Sequence, residues 1–338
     1  MPELRVEVLR GGQVESVHRV SAAVVDRSGR LIGSAGDPRF VTYWRSAAKP
    51  FQALPLVEDG VLSRLSLGSD VLALACASHS SEPRHLQLTD RILDRIGCTE
   101  ADLACGPHPP LGPGVVQDVV AHRTVLTPRW SNCSGKHAGM LALARHHGWD
   151  IAGYELAGHP VQERILDSVV RWTGRDRNAI VLGVDGCTTV CFGLPLLAMA
   201  RAYAALAAAA SESLSVIRHA MLAHPELVAG EGRFCTDLMR ALPGEVVAKV
   251  GAEGIHCAAI PSAGIGIALK VEDGDMRASP PALLSILQAL APRLPGPARL
   301  RSDALPDWAH RPVYDTRGGR VGEIRGSGTL HFLDDPVR

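Results

Sequence analysis

Apolar residues alternate with polar ones near the two ends of the chain and recur at helical spacing through its middle. Strict alternation marks half-buried strands, and a spacing of three to four marks helices with one covered face. Leu4-Arg5-Val6-Glu7-Val8-Leu9 and Ser21-Ala22-Ala23-Val24-Val25-Asp26 read as strands, and a turn at Arg27-Ser28-Gly29-Arg30 returns the chain through Leu31-Ile32-Gly33. Helical spacing then covers 46–59, 83–96, 136–147, Pro160 to Trp172, 195–210, 212–223 and 233–241. Gly97 and Gly148 stop two of these, and Pro160 occupies a first helical position behind His159. A short strand, Ala179-Ile180-Val181-Leu182-Gly183, interrupts them. Strands return at 246–250, 255–260 and 265–271, followed by a helix near 281–292, a Pro- and Arg-rich loop over 293–312, and a hairpin pairing 312–315 with 318–324. Strands first, helices next and strands last predict an α+β fold, with an antiparallel sheet from both termini and an inserted helical lobe. The expected division is a sheet lobe at about 1–45 and 243–338 and a helical lobe at about 46–242, together one catalytic unit of 338 residues.

Composition narrows the function. Aromatic residues make up 4% of the chain, so alanine, valine and leucine must fill the core, which favours close helix packing. Thirty-five basic and 35 acidic residues cancel without a long run of one sign, which leaves no footprint for nucleic acid or anionic lipid. A small neutral or zwitterionic substrate is expected instead. The longest apolar stretch, around 190–210, is broken by Arg201 before it reaches the roughly 18 residues of a spanning helix. A soluble, cytoplasmic protein is expected. Eight cysteines in a chain this long are not needed as disulfide staples, and most should be small buried hydrophobes.

The basic residues are unevenly chosen: 31 arginines against four lysines, at 49, 136, 249 and 270. An amine can lose its proton and a guanidinium effectively cannot, so lysines kept in such a chain are candidates for chemistry that needs a free amine. Ser46-Ala47-Ala48-Lys49 at a helix start sets a hydroxyl and an amine one turn apart. A lysine near pKa 10.4 is neutral only about 0.1% of the time at pH 7.5, and bringing it to that pH costs roughly 4 kcal/mol. A second cation would help, and Lys249 is the candidate, while Arg45 either repels or binds a carboxylate. In Cys76-Ala77-Ser78-His79-Ser80-Ser81-Glu82-Pro83, Ser81 is expected to cap the following helix, which reserves Ser78 for chemistry. Cys133, in Ser131-Asn132-Cys133-Ser134-Gly135-Lys136-His137, opens a helix, and Cys187 follows Asp185-Gly186 at the end of a strand. Two thiolates with Asp or His can hold zinc. Cys133 at a helix start can instead be an activated nucleophile, or both can be structural thiols.

Taken together, Arg45-Ser46-Ala47-Ala48-Lys49-Pro50, Ala77-Ser78-His79-Ser80, Cys133-Ser134-Gly135-Lys136-His137, His159-Pro160-Val161-Gln162, Asp185-Gly186-Cys187 and Lys249-Val250-Gly251-Ala252-Glu253-Gly254 resemble the L-asparaginase II family typified by the inducible rhizobial asparaginase. The resemblance spans about 4–330. It implies a fold similar to serine beta-lactamases and penicillin-binding proteins, whose lysine-small-glycine triplet Lys249-Val250-Gly251 also resembles. It further implies hydrolysis of L-asparagine through a serine acyl-enzyme, with the dyads Ser46–Lys49 and Ser78–Lys249, and a homodimer. A zinc ion on Cys133, Lys136 and Cys187 follows from the same resemblance, as do Arg45, Asp185, Cys235 and His137 around the substrate. Ser81 stands where glycine is common in that family. The alternatives are an amidase or beta-lactam hydrolase acting on another small substrate, and a non-catalytic binder of zinc or an amino acid.

Overall fold

The strand pattern read at both ends closes into one antiparallel sheet. The computed structural model describes residues 3–294 and 304–333 and divides into two units. The first comprises residues 1–47, 194–208 and 238–338, and the second 48–193 and 209–237.

In the first unit the strands run in the order His310–Tyr314, Arg320–Gly328, Leu4–Arg10, Gln13–Val25, Ile265–Val271, Ile255–Ile260, Val247–Val250. Leu31–Ala35 pairs beside Gln13–Val25, and His331–Phe332 pairs with it in turn. Leu4 faces Val20 on one side and Gly328 on the other, so the two ends of the chain share the sheet as the alternation predicted. Gln13–Val25 begins eight residues earlier than its apolar run, because its exposed first half is polar and carries no alternation to read. Every residue of Ile265–Val271 is buried, with the helices Leu196–Ala208 and Ser279–Leu290 packed on the strand. At Gly266 an added Cβ would lie 2.0 Å from the Ala200 carbonyl oxygen and 2.2 Å from the Ala204 nitrogen. Alanine on the helix and glycine on the strand bring the two backbones together, which is how a core poor in aromatics reaches native density. Leu196–Ala208 therefore belongs with the sheet unit, although it falls inside the stretch expected for the helical lobe. The expected loop over 293–312 lies mostly outside the described residues; its described end holds a turn of helix, Pro306–Ala309, and the start of the last hairpin.

The second unit is helical. The single helix expected over 46–59 is instead a 3₁₀ turn, Arg45–Ala48, followed by the short helices Lys49–Gln52 and Leu54–Glu58. Pro50 and Pro55 sit at the first turns of the two pieces, where their missing N–H groups cost nothing, but they interrupt a continuous ladder. Ser134–His147 is buried over its first eleven residues, too apolar all round for a surface helix. Gly135 and Gly139, one turn apart, permit this. A Cβ at Gly135 would meet Leu74 at 2.5 Å, and one at Gly139 would meet Leu56 at 3.0 Å. Ser69–Ala75, Pro113–Ala121 and the strand Val190–Pro195 were not foreseen. Among the described residues no helix is long and apolar enough to cross a membrane.

Candidate active site

Lys49 is buried in the second unit, and its Nζ donates to the Ala77 carbonyl and, at 3.1 Å, to Ser78 Oγ. The sequence paired Lys49 with Ser46. Ser46 is half-buried in the 3₁₀ turn, three residues before Lys49 in one helical run. Arg45, preceding it, has φ +50, a left-handed conformation that costs a non-glycine residue about 1 kcal/mol or more and that concentrates at functional sites.

The segment carrying Ser78 is held from all sides. Ser78 N donates to Val228 O, and His79 N to Asn132 O. The His79 ring stacks on His85 at 5.0 Å, and its Nε2 lies 3.0 Å from Ser134 Oγ. Burial, with the charges of His85, Lys49 and Arg233 nearby, holds His79 well below its ordinary pKa and therefore neutral. Ser81 does not cap the next helix. Glu82 does, in a capping box with His85, and the Ser81 hydroxyl donates instead to Trp130 O at 2.8 Å. Ser81 has φ +59, which accounts for glycine being common at this place.

The cysteine cluster converges in the same unit. Cys133 precedes the buried helix, and the tight loop Asp185–Thr189 joins the paired strands Val181–Val184 and Val190–Pro195, presenting Cys187. Thr188 in this loop has φ +79. Lys136 Nζ donates to Cys187 Sγ at 3.0 Å and to Thr189 Oγ1 at 2.8 Å. A hydrogen bond from the Cys133 thiol, with Lys136 and His137 alongside, holds Cys187 far below the ordinary thiol range despite its burial. The same bond and burial push Cys133 up, leaving one thiolate and one thiol. Burial works against the Lys136 charge, but the Cys187 and Cys133 sulfurs and Asp185 outweigh it and raise its pKa. The contacts of Lys136 thus favour its charged form.

His137 lies behind this cluster. Tyr154 Oη accepts from Ala104 N at 3.0 Å and lies 2.6 Å from His137 Nδ1, and burial holds the His137 ring below its ordinary pKa. Gln162 of the His159–Gln162 motif donates to Tyr154 O at 2.8 Å, so that motif positions the tyrosine. His137 Nε2 is buried without a hydrogen-bond partner among the described residues. Cys235 is buried one residue into the helix Phe234–Ala241. Arg233, which sequence reasoning passed over, donates from Nη1 to Ser80 Oγ at 3.2 Å.

In the sheet unit Lys249 is buried on Val247–Val250 and donates to Val250 O at 2.8 Å. Its charge helps burial to hold His256 down to about 3. Gly251, after it, lies against the backbone of Trp44: a Cβ there would meet Trp44 O at 3.0 Å.

Among the described residues no group of three or more His, Cys, Asp or Glu is arranged to hold a metal. The residues that the sequence offered for zinc are Cys133, Lys136 and Cys187, of which Lys136 Nζ lies 3.0 Å from Cys187 Sγ. Two sulfurs and an amine would suit zinc chemically once Cys133 and Lys136 had given up their protons.

The family model of L-asparaginase II matches residues 6–326. No curated protein matches the chain. Solved structures similar to it include a candidate beta-lactamase from Bacteroides dorei DSM 17855, at 14% identity and TM-score 0.36 over 81% of this chain and 88% of the other. A simvastatin synthase from Aspergillus terreus matches at 12% identity and TM-score 0.31 over 75% and 86%. At such scores neither bears on the fold, which rests on the strand order above.

Proposed function

The chain belongs to the L-asparaginase II family of amidohydrolases, and from that premise we propose that it hydrolyses L-asparagine to L-aspartate and ammonia through a serine acyl-enzyme. The observation that carries this reading is the buried Lys49 amine bonded to the Ser78 hydroxyl at 3.1 Å. Ser46 Oγ attacks the side-chain carboxamide carbon while Lys49 takes its proton. Ser78 passes a proton from Lys49 to the departing nitrogen, and ammonia leaves. Water then attacks the ester, Lys49 again accepting a proton, and aspartate is released with Ser46 restored. Positioned proton transfer of this kind supplies about 10²- to 10⁴-fold. Backbone amides at the helix start face the developing oxyanion. Lys249 is the second amine of the proposal, paired with Ser78 on the strength of its triplet. Cys133, Lys136 and Cys187 would hold zinc, which supplies a fixed positive centre for orienting the substrate's polar ends.

Ser46→Ala is expected to lower ammonia release from L-asparagine by at least about 10³-fold. Mass spectrometry of protein quenched during turnover should then find an aspartyl adduct on the peptide holding Ser46. Near-normal turnover by that variant would refute the nucleophile. Glutamine and a chromogenic beta-lactam, assayed in parallel, separate the asparaginase from an amidase or beta-lactam hydrolase.

A further inference from the structure

Arg233 stands on a segment with two left-handed glycines, Gly230 and Gly232, ahead of the helix Phe234–Ala241. The segment is pressed onto the serine loop. A Cβ at Gly230 would meet Ser80 Oγ at 2.4 Å and Glu82 Oε1 at 2.7 Å, and Glu231 N donates to Glu82 Oε1 at 2.8 Å. The side chain of Arg233 is thereby aimed at Ser80, two residues from Ser78. Among the described residues it forms no ion pair. Burial pulls its pKa down, and only Cys235 and the Glu82 carboxylate, which caps a helix, act through space to favour its charge. Ser80 gives it a hydroxyl oxygen, and that hydroxyl's own proton goes to Ala229 O at 3.0 Å.

A part-buried guanidinium that is bonded to a hydroxyl and forms no direct pair with a carboxylate carries a desolvation cost, which an anionic ligand repays. Lys49 is bonded to Ser78 and Arg233 to Ser80, so the two cations contact the residues on either side of His79 in sequence, and both charges act on its ring. The proposed substrate places a carboxylate and an amide within one small molecule. We infer that Arg233 receives the α-carboxylate of the substrate in a forked pair while the carboxamide lies at the Lys49–Ser78 end, which makes Arg233 the residue that selects amino-acid amides over plain amides. This rests on the hydrolase reading above, and it gives Arg233 the carboxylate duty that was one of the two roles open to Arg45.

The test uses L-asparagine and 3-aminopropanamide, the same amide without the α-carboxylate. Arg233→Gln is expected to lower kcat/KM for asparagine by about 100-fold and that for 3-aminopropanamide by less than about threefold, collapsing the preference between them. Arg233→Lys keeps the charge but loses the fork, and should raise KM for asparagine about tenfold with kcat nearly kept. The melting temperature of Arg233→Gln should be unchanged or higher, since a cation without an ion pair has been removed. Equal losses on both substrates with a lowered melting temperature would mark a structural role and overturn the inference, as would a preference that collapses only in Arg45→Gln. Calorimetric binding of L-aspartate needs no turnover. If the wild type releases no ammonia but binds aspartate through Arg233, the hydrolase reading fails and this inference stands. If ammonia is released and Arg233→Gln binds aspartate as tightly as the wild type, the reverse holds.

Discussion

At the scale of single residues, the structure separates two lysines that look alike in sequence. Lys49 and Lys136 each follow a serine or cysteine by three positions, yet Lys49 meets a hydroxyl and a carbonyl while Lys136 meets a thiolate that keeps it charged. For Lys136 to serve as a free amine, a metal ion must displace its proton. Protein purified without chelator is expected to carry about one zinc per chain, and Cys187→Ser to carry almost none; elemental analysis of both decides it, and equal metal in the two would remove the site. The scarcity of lysine pointed to both residues, since a rare residue type is legible in a single chain. Arg233 was not legible for the opposite reason: it is one of 31 arginines, and its only local mark is Gly230-Glu231-Gly232 ahead of it. Tyr154 carried no mark at all, because its duty exists only once His137 and Ala104 are beside it.

Among elements, the helix Leu196–Ala208 comes close to the strand Ile265–Val271, and that approach hangs on one missing side chain. Gly266→Ala would drive a methyl group into the helix backbone and is expected to cost about 3 kcal/mol, at the upper end for overpacking, as read by the urea midpoint with an unchanged slope. A loss under about 0.5 kcal/mol would mean that the two elements separate freely. The strands and helices with strong periodicity were legible: Leu4–Arg10, Pro83–Arg95, Pro160–Thr173 and the late strands lie close to where the apolar pattern put them. The helix expected over 46–59 was not, because the same pattern persists through Pro50 and Pro55 although the hydrogen-bond ladder does not. Which unit a helix joins was also hidden, since amphipathic spacing tells that Leu196–Ala208 has a covered face and not what covers it.

For the whole molecule, buried histidines set the acid limit. Burial holds His85 down to about 4, with Glu226 opposing, and His256 down to about 3, while His79 is lower than ordinary for the same cause.

Unfolded histidine titrates near 6.5, so the unfolded chain takes up protons below that pH that these folded rings refuse. Their contribution is complete above about pH 6.5 and is lost as the pH falls toward the folded values. His85 and His256 together remove on the order of 3 kcal/mol per pH unit, which is about 4 kcal/mol by pH 5 and a large part of the stability of a typical domain, and His79 acts in the same direction. Acid unfolding followed by circular dichroism should therefore begin near pH 6 and be well advanced by pH 5. A protein that keeps its full stability at pH 4.5 would contradict the neutral state of these side chains.

The pairing of Leu4–Arg10 with Arg320–Gly328 has a consequence for synthesis. Leu4–Arg10 must wait for a strand made more than three hundred residues later, and meanwhile one of its edges stays open to neighbouring chains. Translation that stalls before Arg320 therefore yields a nascent product with a sticky strand at Leu4–Arg10, and such a product calls for a chaperone.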